Sequence, residues 1–84
     1  MRQQEIKDTV RNFVLSEFLP GEDPAALTDA TPLVTTGILD SIAVLNLVTF
    51  LEAEFKITLQ AHETGVENLN TLTDIANLVA AKVP

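Results

Sequence analysis

The sequence predicts an all-α protein: a small bundle of three main helices plus one short helix, with a long first loop. Apolar residues recur at helical spacing in three separate segments, and no segment sustains the period-two alternation of a strand. Pro-Gly and other turn-prone residues separate these segments. A chain of 84 residues is the size of one domain, so we expect residues 1–84 to form a single domain.

The first helix is predicted from Gln3 to Phe18, and Pro20-Gly21 ends it. Its apolar face consists of Ile6, Val10, Phe13 and Val14, with Phe18 nearer the edge of that face.

A long connection follows, from Pro20 to Asp40. A structureless loop of this length is unusual in a small domain, so it indicates either a function or a short extra helical turn. We expect its apolar residues to hold it against the helices; these are Leu27, Leu33, Val34, Ile38 and Leu39. Its acidic residues, Glu22, Asp23 and Asp29, are expected mainly to keep the loop hydrated, and the alternative is that they steer partners.

The second helix is predicted from Ser41 to Phe55. At 100° per residue, its core face consists of Val44, Leu47, Val48, Leu51 and Phe55. The opposite face consists of Ile42, Asn46, Thr49 and Ala53, with Phe50 on one shoulder. A solvated helix normally carries Lys and Glu on its outer face, so this uncharged face predicts a docking surface. The alternative is that the preceding loop folds over it.

The last part of the chain predicts one helical turn at residues 66–69 and a final helix that begins near Thr71 and ends near Lys82. Thr71 is expected to cap this helix, with Asp74 three residues later. Its inner face consists of Leu72, Ile75, Ala76 and Val79.

Composition narrows the classes of partner. Twelve acidic and five basic residues give a net charge of −7, which disfavours nucleic acids and anionic membranes and favours basic protein surfaces. The chain has no cysteine and one histidine, His62, so we expect no disulfide, no metal site and a surface role for that histidine. We see neither a secretory signal nor a membrane-spanning run, and we expect a cytoplasmic monomer.

Ser41, one of only two serines, lies at the predicted start of the second helix. Either Asp40 or Ser41 is a good N-cap, and capping alone is the simplest interpretation. A helix N-terminus also favours a phosphate, so the alternative is a serine carrying a phosphate or phosphodiester. A small serine hydrolase is disfavoured, because no G-x-S-x-G elbow is present and Asp40 would be a poor general base.

The residues around Ser41 resemble the prosthetic-group motif of the acyl carrier and peptidyl carrier protein family. The motif consists of Leu39-Asp40-Ser41-Ile42, followed by Leu47-Val48, Leu51-Glu52 and Glu54-Phe55. The usual Asp-Ser-Leu is Asp-Ser-Ile here. The resemblance continues, in order and spacing, through the first helix, the Leu33-Val34 pair, Phe55-Lys56-Ile57, Glu67-Asn68-Leu69 and the last helix, so it covers most of the chain.

This resemblance implies that a phosphopantetheinyl transferase attaches 4′-phosphopantetheine to Ser41. The thiol of that arm would carry an acyl or aminoacyl group as a thioester. The resemblance also implies that the chain itself has no catalytic residue and no enzyme activity. The implied partners are the transferase, an adenylating or acyl-loading enzyme, and downstream tailoring or condensing enzymes. The residues expected to contact them are Asp40, Ile42, Asn46, Thr49, Phe50 and Ala53.

The chain departs from fatty-acid carriers on the second helix, where Asn46, Thr49 and Ala53 occupy positions that are often acidic or polar in the family. Docking should therefore be more apolar. We expect a free-standing carrier in natural-product, nonribosomal peptide-like biosynthesis. The alternatives are a fatty-acid or polyketide acyl carrier and an unmodified helical adaptor.

Overall fold

A computed structural model describes residues 2–83, apart from the side chain of Pro24, and every regular element in this range is helical. The helices are α1 (Gln3–Phe18), α2 (Ser41–Phe55), α3 (Val66–Leu69) and α4 (Leu72–Lys82). The all-α prediction is confirmed, including both ends of α1 and α2. Single 3₁₀ turns at Pro24–Ala26 and Ala61–Glu63 interrupt the two long connections. The first is the short helical turn that the sequence offered as one of two explanations of the long loop.

Helices α1 and α4 pack closely against each other, and α2, α3 and both connections add buried side chains to the same core. Ile6, Val10 and Val14 of α1 are completely buried, as is the predicted inner face of α4. Thr71 caps α4 as predicted, since its hydroxyl accepts a hydrogen bond from the Asp74 amide at 3.0 Å. Phe13 and Phe18 of α1 are only half-buried and contact each other edge to face.

The core face of α2 differs from the prediction. Ala43, Leu47, Leu51 and Phe55 are buried, whereas Val44 and Val48 are half-buried. The buried residues of α2 are therefore spaced four apart and begin at the small Ala43. A helix that is apolar over most of its circumference does not itself specify this rotation, because the neighbouring elements decide which row is covered.

The long first loop is held against the helices by Leu27, Leu33 and Leu39, which are buried as predicted. The expectation that Asp29 simply hydrates this loop is wrong. Its carboxylate accepts hydrogen bonds from Arg11 at 2.6 Å and Lys7 at 3.3 Å. Its carbonyl accepts two from Thr73, both at 3.3 Å. Asp29 thus joins the loop to α1 and α4.

A second ion pair joins the later connection to the end of α4. Lys82 lies 2.6 Å from a carboxylate oxygen of Glu63. The hydrogen bond from Lys82, together with one from the Gln60 amide, holds the pKa of Glu63 below its ordinary value of 4.5.

Candidate functional site

Ser41 is exposed and is the first residue of α2. Asp40 is the N-cap, because its carboxylate accepts a hydrogen bond from the Ala43 amide at 2.8 Å. Its carbonyl accepts another from the Val44 amide at 2.8 Å. The Ser41 hydroxyl is therefore not needed for capping. Within residues 2–83, the amides of Ser41 and Ile42 have no hydrogen-bond partner, so they leave the positive end of the helix open beside this hydroxyl.

The segment before Ser41 is a closed turn rather than a free loop. The Leu39 amide donates to the Leu33 carbonyl at 2.9 Å, and the Gly37 amide donates to the Val34 carbonyl at 3.1 Å. Gly37 has a φ of 84°, a left-handed conformation that glycine adopts without steric cost. This turn fixes the direction from which the chain enters α2.

Asn70, between α3 and α4, fastens this turn to the rest of the bundle. Its side-chain oxygen accepts hydrogen bonds from the Val34 and Thr35 amides at 3.0 and 3.1 Å. Its backbone carbonyl accepts from the Leu33 amide at 2.6 Å. The sequence analysis missed Asn70, because its partners lie 35 and 36 residues away along the chain and no local pattern marks it.

A cleft of about 510 Å³ opens beside Ser41, between the turn, α2 and α3. Its lining is mostly apolar and includes Val34, Leu39, Val44 and Val66. Val66, on α3, is 45% exposed at this edge. The half-buried position of Val44, which the core-face prediction did not anticipate, is explained by its place in this cleft.

Curated relatives identify the family. The chain is 34% identical over 71 residues to a D-alanyl carrier protein of Streptococcus suis, covering 84% of this chain and 86% of the relative. It is 35% identical over 68 residues to the probable acyl carrier protein PigG of a Serratia species, covering 81% of this chain and 77% of the relative. The chain belongs to the carrier-protein family. No family model matches this carrier, so the assignment rests on these relatives together with the fold.

The outer face of α2 in this carrier is exposed and carries no charge. Ile42, Asn46, Thr49 and Ala53 are all exposed, and Ile42 is 71% exposed. The described part of the loop therefore does not cover this face. The Thr49 hydroxyl donates to the Leu45 carbonyl at 3.0 Å, so it needs no partner outside the helix.

Leu45 also belongs to this face, with 65% of its surface exposed, and the sequence analysis missed it. At 100° per residue, Leu45 lies between Ser41 and Thr49 on the helical wheel. The wheel could therefore have placed it on the exposed side of the helix. Below, "outer face" means Ile42, Leu45, Asn46, Thr49 and Ala53. The three most exposed large apolar side chains described in residues 2–83 are Ile42, Leu45 and Val66, and all lie on α2 near Ser41 or in the cleft beside it.

Phe50 lies at the shoulder of the outer face but is half-buried. Its ring stacks on Phe13 of α1, with 4.0 Å between the ring centres and 12° between the planes. One surface of the ring is therefore occupied inside the carrier.

The carrier shows no activated serine among its described residues. The Ser41 hydroxyl has no hydrogen-bonded base in residues 2–83, and His62 is exposed in the 3₁₀ turn after α2. This geometry lacks the hydrogen-bonded nucleophile and base of a serine hydrolase. Separately, no helix within residues 2–83 combines the length and apolar character needed to cross a bilayer.

Proposed function

We propose that this carrier bears 4′-phosphopantetheine on Ser41 and delivers a thioester-bound acyl or aminoacyl group to partner enzymes. The observation that carries the proposal is the state of Ser41: it is exposed at the start of α2, and Asp40 performs the capping. A capping serine would have its hydroxyl engaged with the helix. Here the hydroxyl is available to a modifying enzyme.

The surroundings of Ser41 fit such a group. The Ser41 and Ile42 amides have no hydrogen-bond partner among residues 2–83, and together with the positive end of α2 they favour a phosphodiester at this position. The neighbouring apolar cleft of about 510 Å³ offers a surface against which an extended arm can lie. When attached, the group supplies a thiol for thioester chemistry. The chain has no cysteine, so any thioester must be formed on an added thiol.

We propose an aminoacyl cargo, loaded by an adenylating enzyme, in natural-product biosynthesis of the nonribosomal peptide type. The similarity to a D-alanyl carrier protein supports an amino acid as cargo. A fatty-acid or polyketide cargo is the alternative, supported by the similarity to a probable acyl carrier protein.

The outer face is the proposed docking surface for the loading enzyme and the downstream tailoring or condensing enzymes. Asp40 and Phe50 border it. Because this face has exposed apolar side chains and no charge, docking should depend on apolar contact more than on ion pairs. We propose that residues 1–84 act as a single monomeric domain in the cytoplasm, a reducing compartment that suits a chain without cysteine.

The decisive experiment is an intact-mass measurement after incubation with coenzyme A and a broad-range phosphopantetheinyl transferase. The protein should gain the mass of one phosphopantetheine group. Ser41→Ala should abolish the gain, whereas Ser16→Ala, which removes the other serine from an exposed position on α1, should retain it. Absence of a mass gain in the folded wild-type protein would refute the proposal.

An unmodified helical adaptor is the second candidate, favoured by the exposed outer face. It predicts that Ser41→Ala leaves function intact, while Thr49→Arg or Ala53→Arg abolishes partner binding. The carrier proposal predicts that Ser41→Ala abolishes function. Complementation with these three variants therefore separates the two candidates.

A further inference from the structure

The turn before Ser41 is anchored to the core only at its two ends. In this turn, residues 33–39, the side chains of Leu33 and Leu39 are buried, whereas residues 34–38 are half-buried or exposed. The hydrogen bonds within the turn fix its shape, but they do not attach its middle to the rest of the bundle. That attachment must come from another element.

Asn70 attaches the middle of the turn to the bundle. Its side-chain oxygen accepts hydrogen bonds from the Val34 and Thr35 amides. Among residues 2–83, its side-chain nitrogen donates none, so the oxygen alone makes the contact. Asn70 is itself held in place, because Leu69 before it is buried and Thr71 after it caps α4.

Asn70 also connects two elements that line the cleft beside Ser41. Val34, in the turn, and Val66, at the start of α3, both line this cleft. Asn70 directly follows α3 and binds the amide of Val34. It therefore fixes the turn relative to α3, and with it the direction in which the chain enters α2.

We propose that Asn70 is a positioning residue for the transfer of phosphopantetheine to Ser41. This inference rests on the proposed function. In the transfer, the Ser41 hydroxyl oxygen bonds to the phosphorus of coenzyme A that carries the pantetheine, and the P–O bond of the pyrophosphate breaks. Adenosine 3′,5′-bisphosphate leaves, and the serine proton passes to a base of the transferase. The rate of such an attack depends on the distance and direction of approach, which the turn controls on the side of the carrier.

The kinetic effect follows from the fraction of carrier molecules whose turn is correctly placed. Without the Asn70 oxygen, a smaller fraction presents Ser41 in the position that the transferase binds. The apparent affinity falls in proportion to that fraction, whereas a carrier already bound reacts as before. Asn70→Ala should therefore raise KM for the carrier about three- to tenfold and leave kcat within about twofold of wild type.

The test measures initial rates of mass gain at saturating coenzyme A, with a broad-range transferase and varied concentrations of carrier. Asn70→Asp keeps the acceptor oxygen and should restore the wild-type KM to within about twofold. Asn77→Asp controls for the added charge: Asn77 is exposed on α4, and its side-chain oxygen accepts a hydrogen bond from Gln3 at 2.8 Å. It should leave KM unchanged.

Two further variants separate positioning from general stability. Val79→Ala removes part of a fully buried side chain about 10 Å along α4 from its first residue. It should lower the thermal unfolding midpoint but leave KM unchanged. Gly37→Ala disturbs the same turn through its left-handed backbone, so it should raise KM with Asn70 still present. Circular dichroism at the assay temperature checks that every variant is folded.

A wild-type KM in both Asn70→Ala and Gly37→Ala would overturn the inference. An equal rise of KM in Val79→Ala would also overturn it, because the effect would then report lost stability. So would a rise in Asn70→Asp as large as that in Asn70→Ala, because the oxygen would then not be the group that matters. Failure of the proposed function gives a different result, since the wild-type carrier itself would gain no mass.

Discussion

Removing the side chain of Asn70 should loosen the turn that precedes Ser41. In Asn70→Ala, the Val34 and Thr35 amides lose their acceptor. The hydrogen bond from the Leu33 amide survives, because the backbone carbonyl of residue 70 accepts it. The variant therefore weakens the attachment of the turn without removing it altogether.

The magnitude follows from the three side-chain hydrogen bonds. A neutral hydrogen bond contributes about 0.5–1.5 kcal/mol, and a buried donor left without a partner costs more than an exposed one. Val34 is half-buried, whereas Thr35 is exposed and water can replace its partner. The third bond, from the Thr35 hydroxyl, is long at 3.4 Å and should contribute little. We expect Asn70→Ala to lower the free energy of unfolding by about 1–2 kcal/mol, mostly through Val34.

Urea unfolding followed by far-ultraviolet circular dichroism suits a chain without Trp or Tyr. Hydrogen exchange should show faster exchange of the Val34 and Thr35 amides in Asn70→Ala. Asn70→Asp is the matched control: it keeps the acceptor oxygen, and its charge lies favourably at the N-terminus of α4. It should stay within about 0.5 kcal/mol of wild type. Equal losses in both variants, or none in Asn70→Ala, would refute this account of the turn.

Three further outcomes are expected from urea unfolding. Leu51→Ala should lower the free energy of unfolding by about 2–4 kcal/mol, because the side chain is fully buried. Ile42→Asp should lower it by less than about 0.5 kcal/mol but impair partner binding. Equal losses of unfolding free energy in the two variants would show that the two faces are misassigned. Gly37→Ala should lower the free energy of unfolding by about 1–2 kcal/mol because alanine disfavours the left-handed backbone conformation. A steric clash does not contribute, because no atom lies within 4 Å of an added Cβ. An unchanged free energy of unfolding would contradict the turn geometry. The pKa of Glu63 is lowered in the folded state, so its stabilising effect is present above pH 4.5 and disappears as the pH falls through the lowered value. Lys82→Gln should reduce this part of the acid dependence of the urea midpoint without abolishing it, because the hydrogen bond from the Gln60 amide also lowers the pKa of Glu63; an unchanged pH profile would count against the ion pair.

Local signals in the sequence predicted most of the fold. Helical periodicity and Pro20-Gly21 located both ends of α1, and the Thr71 cap located the start of α4. These features depend on residues within one or two turns of each other. The position of Ser41 at the start of α2 follows for the same reason.

The contacts that hold the segment before Ser41 in place could not be predicted, because they join residues that are distant in sequence. The attachment of the turn to Asn70 and the bridge from Asp29 to α1 and α4 join residues brought together only by the packed bundle. The rotation of α2 is of the same kind: Ala43 is buried and Val44 is half-buried because of what surrounds them. A helix rich in apolar residues permits several rotations, and its neighbours select one.

The internally satisfied hydroxyl of Thr49 has a consequence for how long partners remain on the outer face. The Thr49 hydroxyl is turned back onto the Leu45 carbonyl, and the outer face itself carries no charged side chain, so a partner seated there forms no ion pair with the face. Only the carboxylates at its border, such as Asp40, and the net charge of −7 act on a partner from a distance. The rate at which a basic partner arrives should therefore vary with salt, whereas the apolar contacts made on the outer face should not. The carrier would then discriminate between competing enzymes mainly by how long each complex lasts after contact. Differences in dissociation rate rather than in association rate would decide which enzyme acts on the carrier.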